Sequence, residues 1–175
     1  MTPRRPKGPA RSARAPSAER PLRIAVCGAG KADATLIKTA ERVGALIARE
    51  GAVLICGGLG GVMEAAARGA HDADGLTIGV LPGEDAGDAN PWIFLPLPTA
   101  MGEARNALVV RFADAVIAIG GEWGTLSEIA LAMKIGLPVV LLAPTIAADF
   151  ELETADDPED AVRRALRHAR RRRSR

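Results

Sequence analysis

Aromatic residues are scarce in this chain: three Phe, two Trp and no Tyr among 175 residues. Any core must therefore be aliphatic, drawn from the Ala, Val, Leu and Ile that make up most of an apolar content of 48%. Cysteine is nearly absent as well. Cys27 and Cys56 each end an apolar run and precede a glycine. They lack CxxC spacing and read as small buried thiols. The two histidines, His71 and His168, lie far apart in sequence. A structural zinc site needs about four ligands, so no metal is expected. No apolar run approaches the ~18 residues of a membrane span, and the basic N-terminus has no apolar segment after it, as a secretory signal would. A cytoplasmic protein that does not enter a membrane is expected.

Charge is unevenly spread. The formal net charge is +2. Residues 1–20 carry six basic side chains and one acid, and residues 161–175 carry eight arginines and no acid. The body between them holds nine basic and 20 acidic side chains, a balance of −11. Basic ends suit an acidic or nucleic-acid surface. The leader, however, is rich in Pro, Ser and Ala and has no aromatic to stack on bases. It reads as a disordered, solvated segment over 1–20. A single domain follows over 21–169, and 170–175 reads as a basic tail that frays from the last helix.

Within the body, short apolar runs alternate with helical patterns. Strands are expected at Leu22–Cys27, Ala52–Cys56, Leu76–Leu81, Trp92–Leu95, Asp114–Ile119 and Pro138–Ala143. Helices are expected at Thr35–Glu50, Val62–Ala73, Thr99–Ala113, Thr125–Ile135 and 157–172. Strands that are apolar throughout, alternating with helices, argue for an α/β fold: a doubly wound, mostly parallel sheet with helices on both faces, Rossmann-like. Ligands of such sheets bind beyond the carboxyl ends of the strands. Three glycine clusters fall there: Gly28/Gly30, Gly57/Gly58/Gly60/Gly61 and Gly120/Gly121/Gly124.

The first cluster, "GAGK", fits neither GxGxxG, since Asp33 stands at its third glycine, nor GxxxxGK[ST], since Ala25 and Ala32 break it. The second, "GGLGGVM", packs four glycines into five residues before a helix. A tight turn needs only one, and so many let backbone amides approach an anion at a helix N-terminus. The third, "GGEWGTLSE", has two readings. Its glycines and Thr125 can hold a phosphate. Alternatively, Thr125 and Glu128 form a T-x-x-E capping box, which explains both residues with no ligand at all.

"GGLGGVM" followed by "GGEWGTLSE" resembles the paired motifs GGxxGxM and PGGxGTxxE of the LOG ("Lonely Guy") superfamily, long labelled "possible lysine decarboxylase". The likeness covers roughly residues 22–145. It extends to the molybdenum cofactor carrier proteins, the nearer branch, and more distantly to the Rossmann domain of DNA-processing protein A. The resemblance implies a homodimeric, nucleotide-binding protein. Arg105 and Glu128 match the catalytic arginine and glutamate of the enzymes. Gly57, Gly58, Gly61, Gly121, Gly124 and Thr125 match the phosphate-loop positions. In the enzymes these groups hydrolyse the N-glycosidic bond of a nucleoside 5′-monophosphate to base and ribose 5-phosphate, without a cofactor. In the carrier-like branch the function implied is binding of a nucleotide or molybdopterin-type cofactor. A decarboxylase is not expected, because Lys7, Lys31, Lys38 and Lys134 sit in no cofactor-binding frame.

The departures are specific. Gly120 stands for the motif proline, Glu122 for its second glycine, and Asn106 for the lysine usual after the arginine. A carboxylate at 122 would repel a phosphate 4 Å away by about 1 kcal/mol in water and about 4 at an effective dielectric of 20. Either Glu122 turns outward, or the ligand is not a simple monophosphate.

Overall fold

The computed structural model describes residues 20–145 and 151–174. Of the expected leader only Arg20 falls among them, and Arg175 lies outside. In chain order the elements are β1 (Arg23–Gly28), α1 (Ala34–Arg49), β2 (Val53–Cys56), α2 (Val62–Asp72), β3 (Thr77–Leu81), β4 (Leu95–Pro98), α3 (Asn106–Arg111), β5 (Ala115–Ile119), α4 (Trp123–Lys134), β6 (Val139–Leu142), β7 (Glu153–Ala155) and α5 (Pro158–Arg173). The strands form one sheet in the order β4-β3-β2-β1-β5-β6-β7. Every neighbouring pair is parallel. This is the doubly wound α/β fold expected.

Alternation along each strand divides the core into two layers. Ile24, Val26, Leu54, Ile117 and Ile119 face α1, α2 and α5. Ala25, Cys27, Ile55, Val116 and Ala118 face α3 and α4. Full burial of each Val, Leu or Ile stabilises by roughly 1.5–3 kcal/mol, so these strands need little help from polar contacts. Asp33 caps α1, its Oδ1 accepting from the Leu36 amide at 2.8 Å. No helix among the described residues is long and apolar enough to cross a membrane.

Four elements differ from expectation. The strand expected at Trp92–Leu95 forms at Leu95–Pro98, where β4 lies on the sheet edge and prolines at alternate positions need not donate to the ladder. The helix expected over Thr99–Ala113 shrinks to α3 behind a 3-10 turn at Gly102–Arg105. Positive φ at Ala100 and Gly102 interrupts it, and the Thr99 and Ala100 amides bond the Gly83 carbonyl instead. Strand β7 was not foreseen, since Glu-Thr-Ala offers no apolar run. Finally, α5 continues through Arg173. Arg173 donates to Asp114 Oδ2 at 2.5 Å and to the carbonyls of Arg20 and Pro21. Residues 170–173 are thus the last turn of a docked helix, ending within a residue of the expected 172, and do not fray as the tail expected over 170–175 would.

Candidate functional site

The winding direction of the sheet reverses between β1 and β5, whose ends Gly28 and Ile119 pair in register. Loops diverge from such a switch point and leave a crevice. A cavity of about 210 Å³ opens there. Gly28 and Gly30 form one wall, Leu59 and Met63 another. Arg105 and Asn106 enter from the start of α3, and Glu122, Gly124, Thr125 and Glu128 from α4.

The local start of α4 decides between the two readings of Thr125. The helix begins at Trp123 with Glu122 in the cap position, and Glu122 makes no side-chain cap bond. Thr125 is the third helical residue, so the T-x-x-E capping box does not form. Thr125 is instead 2% exposed, and among the described residues its Oγ1 has no hydrogen-bond partner. Among the described residues, the amides of Trp123, Gly124 and Thr125 also find no acceptor. Unpaired first-turn amides carry the positive end of the helix dipole.

Arg105 is 8% exposed and Glu128 6%. Nη1 of Arg105 lies 3.8 Å from Oε1 of Glu128, longer than a hydrogen bond. The same nitrogen donates to Asn106 Oδ1 at 2.7 Å, while Nε has no partner among the described residues. Asn106 Nδ2 donates to Ser127 Oγ at 2.9 Å, and Ser127 Oγ to the Gly124 carbonyl at 2.7 Å. This chain of bonds ties the arginine to the first turn of α4. Burial pushes Glu128 up to about 7, against the opposing pull of the Cys27 thiol and the Arg105 charge. Burial and the neighbouring Glu128 hold the Cys27 thiol well above its ordinary value. Cys27 is therefore a buried, protonated thiol behind Glu128.

The structure thus brings Arg105, Glu128, Gly124 and Thr125 to one cavity. Gly57, Gly58, Gly61 and Gly121 do not line it. A Cβ at Gly57 would lie 2.6 Å from Nη2 of Arg105, so the absent side chain is what admits the guanidinium. Gly61 has φ +66, and a Cβ there would meet the carbonyls of Ala29 and Gly30 at 2.4 and 2.5 Å. The first amide of α2, that of Val62, is already bonded to Ala29 O at 3.0 Å. Close packing of α2 on the β1–α1 loop gives this cluster a structural reason. Gly28 and Gly30 fit neither phosphate-loop pattern, yet they line the cavity. Ser127 and Asn106 are polar partners that only the fold makes visible. Among the described residues, no three His, Cys, Asp or Glu side chains converge as a metal site.

Residues 21–170 match the SLOG cluster4 family, and the chain belongs to it. An uncharacterized protein of Archaeoglobus fulgidus is 44% identical over 141 residues, 81% of this chain and 92% of that one. The molybdenum cofactor binding protein of the phototrophic bacterium Rippkaea orientalis superposes with a TM-score of 0.80 at 37% identity, covering 86% of this chain and 98% of its own. The molybdenum cofactor carrier protein of Chlamydomonas reinhardtii gives 0.78 at 32% identity, covering 85% and 98%.

Proposed function

We propose that the chain binds a small phosphate-bearing ligand, a nucleotide or a molybdopterin-type cofactor, in the cavity between β1 and β5. The observation that carries this is the Thr125 hydroxyl: buried, without a partner, and on the wall of the cavity at a helix N-terminus. A buried hydroxyl left unpaired costs roughly 1–3 kcal/mol. A phosphate bound there would find donors in this hydroxyl, the free amides of α4 and the Arg105 guanidinium. The same donors fit the terminal phosphate of a molybdopterin, and the resemblance to cofactor-carrying proteins supports that ligand class. The cavity is below the ~300–1,000 Å³ of typical small-molecule sites, so part of such a ligand would rest on its rim. Calorimetric titration with nucleoside monophosphates and a pterin monophosphate tests the reading, and absence of binding by all of them contradicts it.

Glu128 favours a second reading, hydrolysis of a nucleoside 5′-monophosphate. A carboxyl group near pH 7 beside an arginine suits acid–base work. In that reaction water adds its oxygen to C1′ of the ribose, the C1′–N bond breaks, and the base leaves with a proton. The ionised Glu128 would stabilise the oxocarbenium-like sugar or orient the water. Release of ribose 5-phosphate from the same nucleotides tests it. The homodimer implied by the LOG resemblance belongs to this proposal too. Exposed Phe94 and Leu95 at the β4 edge give it an apolar surface, and sedimentation as a monomer at micromolar concentration contradicts it.

A further inference from the structure

The cavity holds one cation, Arg105, against the exposed carboxylates of Glu103 and Glu122, beside the buried carboxyl group of Glu128. A ligand that was anionic throughout would meet more repulsion than attraction. The phosphate end has its donors at Thr125 and Arg105. Whatever lies near Glu122 must supply donors of its own.

Glu122 replaces a motif glycine at the cap position of α4, where its backbone is extended. Short side chains such as Asp or Ser fold back onto the first-turn amides; the longer Glu122 makes no such bond. The amides stay free for an anion. Among the described residues it also pairs with no cation. It is exposed, yet it is part of the cavity wall. The side chain thus stands on the rim over which a ligand anchored at the buried Thr125 hydroxyl must extend.

A free carboxylate offers two parallel acceptor oxygens. Its best planar complement is a ring edge bearing an N–H next to an exocyclic NH2. Guanine has that edge, and so does the 2-amino-4-oxo ring of a pterin. Adenine presents a bare ring nitrogen, an acceptor, beside its amino group. We infer that Glu122 is a specificity-determining residue: its carboxylate selects ligands whose ring carries adjacent N–H and NH2 donors and rejects adenine-type rings. The inference rests on the ligand-site reading above.

Calorimetric titration of the full chain with GMP, IMP, AMP and a pterin monophosphate tests it. GMP should bind at least about tenfold more tightly than AMP, the scale of one good bidentate pair. IMP, which keeps the N–H and lacks the NH2, should fall between them. The tighter of GMP and the pterin monophosphate names the natural ring. Glu122→Gln should weaken GMP and strengthen AMP, bringing their ratio to within about threefold. If Glu122 merely repels phosphate, Glu122→Gln strengthens both by the same factor, and the inference is overturned. It is equally overturned if Glu103→Gln, and not Glu122→Gln, removes the preference. Failure of all four ligands to bind the wild-type chain overturns the ligand-site reading itself; equal binding of GMP and AMP overturns only the role of Glu122.

Discussion

Arg105 and Glu128 are buried side by side without a hydrogen bond between them: Nη1 of the arginine lies 3.8 Å from Oε1 of the glutamate, while the same nitrogen donates to Asn106 at 2.7 Å. A tight buried pair would neutralise both groups. Held apart, the arginine keeps an unpaired Nε among the described residues, and burial pushes the carboxyl group up to about 7.

The buried carboxyl makes stability depend on pH in a definite direction. Its folded value of about 7 lies above the ordinary 4.5, so the folded state binds more protons between the two. The stability contributed by this group is fully present below about pH 4.5 and is lost as pH rises through about 7. Glu128→Gln is uncharged throughout. It should match the wild type at about pH 5 and exceed it at about pH 8 by up to about 3 kcal/mol. Urea denaturation at the two pH values measures this, and equal stabilities at the higher pH speak against a buried charge.

If the chain is also a hydrolase, its rate should follow the ionised form of Glu128. Turnover would climb with pH and level off above about 7. Glu128→Gln would abolish turnover while retaining nucleotide binding. Wild-type ribose 5-phosphate release from Glu128→Gln removes the catalytic reading.

Asn106 departs from the LOG motif but is built into the site. Asn106→Ala leaves a buried Arg105 donor without its acceptor. A loss of about 1–3 kcal/mol in denaturant unfolding is expected, together with weaker ligand binding as the guanidinium loses its tether. Unchanged stability would show that the hydrogen bond is replaced by water.

The C-terminal arginines divide by position. Burial pushes the Asp114 carboxyl up, but bonds from Arg23 and Arg173 together hold it below its ordinary value. The stability it contributes is present above the ordinary 3.8 and is lost as pH falls toward the folded value. Arg173→Ala should cost about 1 kcal/mol at neutral pH, or about 2–4 °C in Tm. The deficit should shrink in acid. Arg171→Ala should change nothing measurable. Equal effects from the two substitutions would mean that the helix end is not docked through Asp114.

The sheet was legible because its central strands are continuous apolar runs closed by glycines. Strand β7 was not, because three residues at an edge need no apolar pattern to pair. The break before α3 depends on positive φ at Ala100, which no periodicity reveals in an alanine. Thr125 and Glu128 were visible as a motif but not as a site. Their spacing is that of a capping box, and only the start of the helix two residues earlier shows that the threonine is buried. The pairing of Glu128 with Arg105, distant in sequence, came from family resemblance. The relay through Asn106 and Ser127 needed coordinates.

The central claim is that the Thr125 hydroxyl is kept, unpaired, for a ligand's phosphate. Thr125→Val keeps the shape and removes the hydroxyl. Calorimetric titration of this variant with the tightest-binding nucleoside monophosphate, alongside its melting temperature, is the most direct measurement. The account predicts a melting temperature at or above wild type, since a buried unsatisfied group is gone, and an affinity lower by about tenfold or more, the worth of a hydrogen bond to a charged group. Wild-type affinity in Thr125→Val would contradict it.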